Sequence, residues 1–503
     1  MSAAVAGIHF GNTNCYVAVS KEGKITTVSN ELGTRMTPTM LAYTGNEKII
    51  GQDAKQFSVR NPTSCITNIK SCIGDSFHEE AVNEVEKYCS CPIRLRNGEI
   101  CHCITVEEDS LNVSTAEALS YILTKLLEIA ESFGGDDLED VVITTPHSFS
   151  DQQKMSIVEA AEKIGFNVLR VISESAAALL AYGIGQNDNM ENYNILVFRL
   201  GGSSCDVSLV NVNSGMYHVI AESRKPHYGA NQFDEILVKN FANEFKRKYK
   251  EDITDNRKAM GKLRAVCEEC KLTLSRKETS PITVDSLYDG LDFQSNITRI
   301  KFESMASPVI TEFMNFVGEF LKSKNIHKDS IAKVALVGGG TGVPKLVSTF
   351  KSYFASSELI DNRNADEIIS HGAAMQASIL QTSRQVEKTP KLKCLSRNIG
   401  IKVANSKFEA ILSQSTPIPC QMKKTFLIPP NQKSISVPIY EWESSPKDAK
   451  IIAKFAVHDI TAKSEEQEVQ LSFLVNKLDN ITAILSMGDS KHNLQISNEC
   501  HKT

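Results

Sequence analysis

Glycine and proline are scarce in this sequence: 27 and 15 among 503 residues, below average usage, which excludes collagen-like and low-complexity chains. No run approaches the roughly 18 consecutive apolar residues of a membrane helix, so no span is expected. The amino terminus, MSAAVAGIHFG, lacks the basic start and long apolar core of a secretory signal, and the expectation is a cytosolic protein. A net charge of −5 argues against a nucleic-acid coat or a polybasic anchor, so neither specific DNA binding nor membrane attachment is expected. With 41% hydrophobic and 23% charged residues, the chain is an ordinary globular one, and large-scale disorder is excluded.

In the cytosol the sequons at Asn112, Asn296 and Asn480 are unused and the 13 cysteines stay reduced. Cys89/Cys91 and Cys101/Cys103 form two C-x-C pairs that could hold zinc from neighbouring strands. Cysteines on one strand face also fill hairpins as small apolar side chains, which is the better reading, as it is for Cys267 and Cys270 on a helical stretch. No metal site is expected.

The length suggests two to four domains. The first 380 residues alternate strand-like runs such as VVITT (141–145) and NVLRVI (167–172) with helical patterns, which means α/β. Ser150 with Gln153 predicts a capping box, and Ser114 with Glu117 predicts another at the start of an amphipathic helix over 115–133. That helix carries Leu119, Ile122, Leu123, Leu126, Ala130 and Phe133 on its apolar face. Further helices are predicted near 174–183, 231–250, 256–275, 302–324 and 365–382. Residues 384–397 are polar, basic and aperiodic, a linker. From 398 to 503 only short alternating segments remain, read as an all-β sandwich domain.

AGIHFGNTNCYVAVS (6–20) and LVFRLGGSSCDVSLV (196–210) repeat one pattern of strand, glycine turn and strand, placing Gly11 on Gly201, Cys15 on Cys205 and His9 on Arg199. A third glycine turn, VALVGGGTGVPK (334–345), follows another β-branched strand. Such turns bring backbone N–H groups close to an anion, and three of them suggest two lobes clamping a polyphosphate. Walker, dinucleotide, nucleophile-elbow and zincin motifs are absent.

Those blocks, with NPTSCITNIKSCIG (61–74), ESAAALLAYGIG (174–185), KLRAVCEECKLTLS (262–275) and DEIISHGAAMQASIL (366–380), resemble the seventy-kilodalton heat-shock chaperones in family order nearly end to end. The resemblance implies a two-lobed, actin-like ATPase domain over 1–383, with lobes at 1–186 and 187–383. A linker at 384–397 and a substrate-binding-type β domain at 398–503 would follow. It implies ATP or ADP as ligand, held by Gly11, Asn12, Thr13, Arg199, Gly201, Gly202, Ser203, Glu268, Lys271, Ser275, Gly338, Gly339 and Asp366. Lys70 and Glu174 match the family's catalytic lysine and glutamate, and are read as a surviving electrostatic framework more than as a catalytic pair.

The departures matter as much. His9 and Arg199 stand where hydrolysing members carry aspartates serving magnesium, and Leu272 and Gly342 stand where two arginines sandwich the adenine. His9 is either a neutral core histidine or a phosphate contact. Arg199 needs an anion, either a phosphate or the internal carboxylates Asp206 and Glu174. Nucleotide binding is therefore expected to be weak and independent of magnesium, in a degenerate ATPase with little or no turnover. The linker is basic rather than acidic and leucine-rich, and the chain is expected to lack the helical lid. These features resemble the branch found in the ribosome-associated complex, implying a J-domain co-chaperone, ribosomes and nascent chains as partners. An ATP-hydrolysing chaperone acting directly on clients is the alternative. A sugar kinase of the same fold leaves residues 398–503 without a purpose.

Overall fold

The computed structural model describes residues 4–496 other than 46, 75–76, 78, 97, 107–108, 136, 186–191, 214–215, 361–363, 385–393, 396, 403–407, 415, 431–433, 443–448, 459–466, 477–479 and 488–489. Two compact units divide the chain, Met1–Glu387 and Lys388–Thr503. Most of the stretch read as a linker lies outside the described residues.

The first unit holds two sheets of the same design. In one, the strand Val5–Phe10 pairs antiparallel with Asn14–Lys21, which pairs with Lys24–Thr27, while on its other side Val5–Phe10 runs parallel to Asp140–Thr145 and then Asn167–Ser173. In the other, Asn192–Leu200 plays the same central part, with Cys205–Asn213 and Met216–Lys225 on one side and Lys333–Val337 and Glu358–Ile360 on the other. The repeat seen in the sequence is thus a repeat of topology. His9 lies opposite Tyr16 in its hairpin, and Arg199 lies opposite Asp206 in the equivalent place.

Each sheet packs helices over its own core, one including Phe10, Ile122 and Leu126, the other Phe198, Phe233, Phe241 and Phe313. The helix Ile368–Arg384 belongs to both lobes. Ile368 and Ile369 pack with strands of the second, while Ala373, Ala377 and Leu380 pack with Val5 and Val142 of the first. Its approach depends on glycine: a Cβ on Gly372 would fall 1.8 Å from the Ala177 carbonyl oxygen, and one on Gly7 2.0 Å from the Ala374 nitrogen.

Local signals explain most helices. The Ser150–Gln153 capping box is present in both directions and opens Asp151–Glu162. Ser114 accepts from the Glu117 nitrogen to start Thr115–Gly134. Phe133, placed on the apolar face by its spacing, is instead 41% exposed, because it sits in the helix's last turn beyond the core. Cys267 and Cys270 are buried in the core of the second lobe. Among the described residues no group of three or more His, Cys, Asp or Glu is placed to hold a metal ion, and no helix is long and apolar enough to cross a membrane.

The second unit contains two four-stranded antiparallel sheets. One is ordered Phe408–Leu412, Asn398–Lys402, Ser434–Trp442, Lys450–His458, and the other Cys420–Ile428, Gln467–Val475, Ile481–Met487, Ser490–Ile496. Alternate residues of both, among them Ile401, Val437, Phe455, Leu471, Phe473 and Leu485, share one buried core. Phe408–Leu412 and Ser490–Ile496 are strands the sequence pattern did not show.

Candidate functional site

The glycine turns of the two lobes face one another across a cavity of ≈ 540 Å³. Gly11, Asn12, Thr13, Arg199, Gly201, Gly202, Ser203, Glu268, Lys271, Ser275, Gly338, Gly339 and Asp366 all line it, as do His9 and Lys70. Glu174 does not; it lies behind them, buried.

The turns meet through small residues. A Cβ on Gly202 would come within 2.3 Å of Thr13 Oγ1, so only glycine lets the lobes approach here. Asn12 Nδ2 donates to Ser203 Oγ at 2.8 Å across the cleft and to Asn68 Oδ1 at 2.7 Å within its own lobe. Gly338 adopts φ 90° and donates its N–H to the Ala365 carbonyl at 2.7 Å, setting the third turn beside Asp366. Asp366 accepts from the Tyr16 hydroxyl at 3.2 Å, and burial raises its carboxyl above the usual range.

Behind the turns lies a buried ion network. Lys70 Nζ donates to the Phe10 carbonyl oxygen at 2.7 Å and to Glu174 Oε1 at 2.5 Å. Arg199 Nε lies 2.8 Å from Glu174 Oε2, off the N–H axis, so that contact is ionic; Nη2 donates to Asp206 Oδ2 and, at 3.2 Å, to Ser204 Oγ. Arg224 Nε stands 3.5 Å from Asp206 Oδ1. Burial alone would raise Glu174, but Arg199, Lys70 and His9 outweigh it and hold the carboxyl far below its ordinary range. Burial works to lower Arg199 too, and Asp206 and Glu174 more than reverse it. Burial lowers Lys70, opposed by Glu174. His9 donates to or accepts from Thr144 Oγ1 through Nδ1 at 3.1 Å, while Nε2 faces the Gly11 turn. Burial pulls its imidazole down to about 3, outweighing Glu174 at 3.9 Å, so the ring is neutral.

Of the two kinds of anion open to Arg199, the network supplies the internal carboxylates Glu174 and Asp206. Arg199 Nε and Nη2 are held by carboxylates; Nη1, beside Gly201, is the edge left toward the turn. His9 is both a buried neutral residue and a wall of the cavity. Glu222 is a member the sequence reading missed. It accepts from Ser208 Oγ at 3.2 Å, and burial, with Asp206 and Glu174 nearby, pushes it up to about 7.

At the far end of the cavity Glu268 accepts from Lys55 at 2.6 Å across the cleft, and Lys271 donates to Asp234 Oδ2 at 2.8 Å. Two buried acceptors there, Asn231 Oδ1 and Asp234 Oδ1, have no hydrogen-bond partner. Such atoms suit a ligand bearing hydroxyl donors.

The chain matches the Hsp70 protein family over residues 5–502. The chain belongs to the Hsp70 family. It is 35% identical to heat shock 70 kDa protein 14 of Bos taurus over 494 residues, covering 96% of this chain and 94% of that protein. The Homo sapiens protein of that name is 35% identical over 492 residues with the same coverage. Heat shock 70 kDa protein 14-B of Xenopus laevis is 34% identical over 482 residues, covering 95% of each. Hsp70 proteins bind ATP or ADP and typically work with J-domain co-chaperones.

The residues present fit a nucleotide: glycine turns for phosphates, orphan acceptors for sugar hydroxyls, and a cavity of suitable size. They do not fit the magnesium that accompanies it in hydrolysing Hsp70 proteins. Glu174 and Asp206 already face Arg199, Lys70 and Arg224, and His9 offers no charge. Leu272, on the cavity wall, is 46% exposed, and no atom lies within 4 Å of a Cβ built on Gly342.

Proposed function

We propose that this chain is an atypical Hsp70 subunit that binds ATP or ADP weakly, without magnesium, and hydrolyses it little or not at all. In the cytosol it acts with a J-domain co-chaperone in a ribosome-associated complex that supports cotranslational folding of nascent chains. Residues 1–383 serve as the nucleotide-binding domain, 384–397 as the linker and 398–503 as a β-sandwich derived from a substrate-binding domain. The observation that carries this reading is the Arg199 guanidinium lodged between Glu174 and Asp206. An internal cation there neutralises the carboxylates that a metal ion would need. The heat shock 70 kDa protein 14 relatives at 34–35% identity support the branch.

Two measurements test it. Losing one electrostatic element from a reaction site typically lowers the rate about 10²–10³-fold, and two positions differ here, so single-turnover ATP cleavage should be close to the uncatalysed background. Cleavage at the rate of ordinary Hsp70 proteins would favour the direct, ATP-hydrolysing chaperone instead. Co-purification of the intact protein from cytosol should bring down a J-domain protein and ribosomes. Recovery of neither refutes the complex.

A further inference from the structure

Outside the cavity lining, the two lobes also touch through a pair of rings. Tyr88, on the loop after the helix Glu79–Glu86, stacks on His227, which sits between the strand Met216–Lys225 and the helix Asn231–Tyr249. The centroids are 3.8 Å apart and the planes differ by 3°. Tyr88 is 44% exposed, so this contact belongs to the rim of the molecule and to neither core. His227 holds φ 58°, a left-handed conformation that is uncommon outside glycine.

Both rings are tied to the phosphate turns. Asn68, itself at φ 57°, donates from Nδ2 to the Tyr88 carbonyl oxygen and accepts from Asn12. Asn12 reaches on to Ser203 in the opposite lobe. On the other side, Gly229, two residues after His227, lies against the second turn so closely that a Cβ would be 2.5 Å from the Gly202 oxygen and the Ser204 nitrogen.

We propose that Tyr88 and His227 form a clasp across the cleft that sets how fast nucleotide enters and leaves, with Asn12 and Asn68 joining the clasp to the phosphate turns. The proposal rests on the cavity being the nucleotide site. An Asn amide has two N–H groups, and both on Asn12 are engaged, one by Ser203 and one by Asn68. A phosphate oxygen arriving at the turns can accept from the Ser203 hydroxyl, which goes on accepting from Asn12. The Asn12–Asn68–Tyr88 chain then stays intact and the clasp remains closed over bound ligand. A contact made equally in the empty and the loaded protein is a gate: it slows entry and exit together and leaves affinity alone. Lys55–Glu268, also across the cleft, joins two side chains more than a quarter exposed, where an ion pair contributes little.

The test is stopped-flow binding and release of a fluorescent ADP analogue by the full chain, for the unmodified protein, Tyr88→Ala, His227→Ala and Tyr88→Phe. Removing one ring of a stacked pair should raise the association and dissociation rates alike by about 2- to 12-fold, with Kd within about twofold. Tyr88→Phe keeps the ring and should restore both rates. The double variant should be no faster than either alanine variant, since the second ring has nothing left to stack on. Thermal melts of each variant establish that it folds. The clasp is overturned if Tyr88→Ala changes neither rate. It is equally overturned if only release accelerates and Kd weakens, the mark of general loosening. Failure of the unmodified protein to bind the analogue at any concentration overturns the nucleotide-site reading and the clasp with it.

Discussion

Arg199 offers the most demanding test of the site. Its guanidinium is 2.8 Å from Glu174 and hydrogen-bonded to Asp206, both buried. A divalent ion held by the same oxygens would lie about 5 Å from that positive charge. At an effective dielectric of 20 the repulsion is on the order of 7 kcal/mol, which is several powers of ten in affinity. Nucleotide affinity, measured by calorimetry or by displacement of a fluorescent analogue, should be the same within about threefold in EDTA and in excess magnesium. Arg199→Ala removes one partner from a buried ionic contact and should destabilise the first unit by roughly 3–5 kcal/mol, since Lys70 and Arg224 alone remain to match Glu174 and Asp206.

Arg199→Asp goes further. It sets a third carboxylate beside two buried ones, so without metal the fold should weaken more than in Arg199→Ala. Magnesium should then do what the guanidinium did. Ion binding to the folded state alone adds RT ln(1 + [L]/Kd), about 2.7 kcal/mol at a hundredfold excess over Kd, and this should appear as a rise in melting temperature that the unmodified protein does not show. Nucleotide binding by this variant should become at least tenfold tighter in magnesium, while ATP cleavage stays absent because His9 remains neutral. If the unmodified protein already binds ATP tenfold or more tightly with magnesium, the guanidinium is not excluding the metal and the reasoning fails.

Two further outcomes concern proton linkage. The folded state refuses a proton on His9 until about pH 3, whereas the unfolded chain accepts one near 6.5; the associated stability is complete above pH 6.5 and is lost as pH falls, by about 2 kcal/mol at pH 5, and His9→Asn should remove that part of the slope in urea unfolding. Glu222 has the opposite sign. Its carboxyl, pushed up to about 7 from 4.5, favours the fold below pH 4.5 and loses that contribution as pH rises through 7, so Glu222→Gln should be more stable than the unmodified protein at pH 8 by about 3 kcal/mol, and equal stability there would refute the assignment.

How much of this was legible in the sequence depends on the range of the interaction concerned. The helices were readable because capping and periodicity act over three to seven residues, as at Ser150 and Gln153. The strands Phe408–Leu412 and Ser490–Ile496 were not, because both lie at sheet edges, where one side of the ladder is unpaired, and they send few side chains to the core, Ile411 and Leu412 from one and Leu494 from the other. Tyr88 and His227 left no local signal at all, since ring stacking between lobes is decided by tertiary placement alone. Arg199 is the instructive middle case. The sequence said that a buried guanidinium requires an anion, and it offered two kinds, a bound phosphate or an internal carboxylate. Hairpin register decides between them. Leu200 and Cys205 close the Gly201–Ser204 turn, which puts Arg199 directly across from Asp206 on the adjoining strand, and facing residues of opposite charge pair. Counting outward from the glycine turn would have found that partner. Glu174 could not be found the same way, because it reaches Arg199 from the start of a helix in the other lobe. The cation is therefore shared between a carboxylate fixed by local register and one brought by lobe closure. That sharing makes full pairing of the guanidinium depend on the two lobes remaining together.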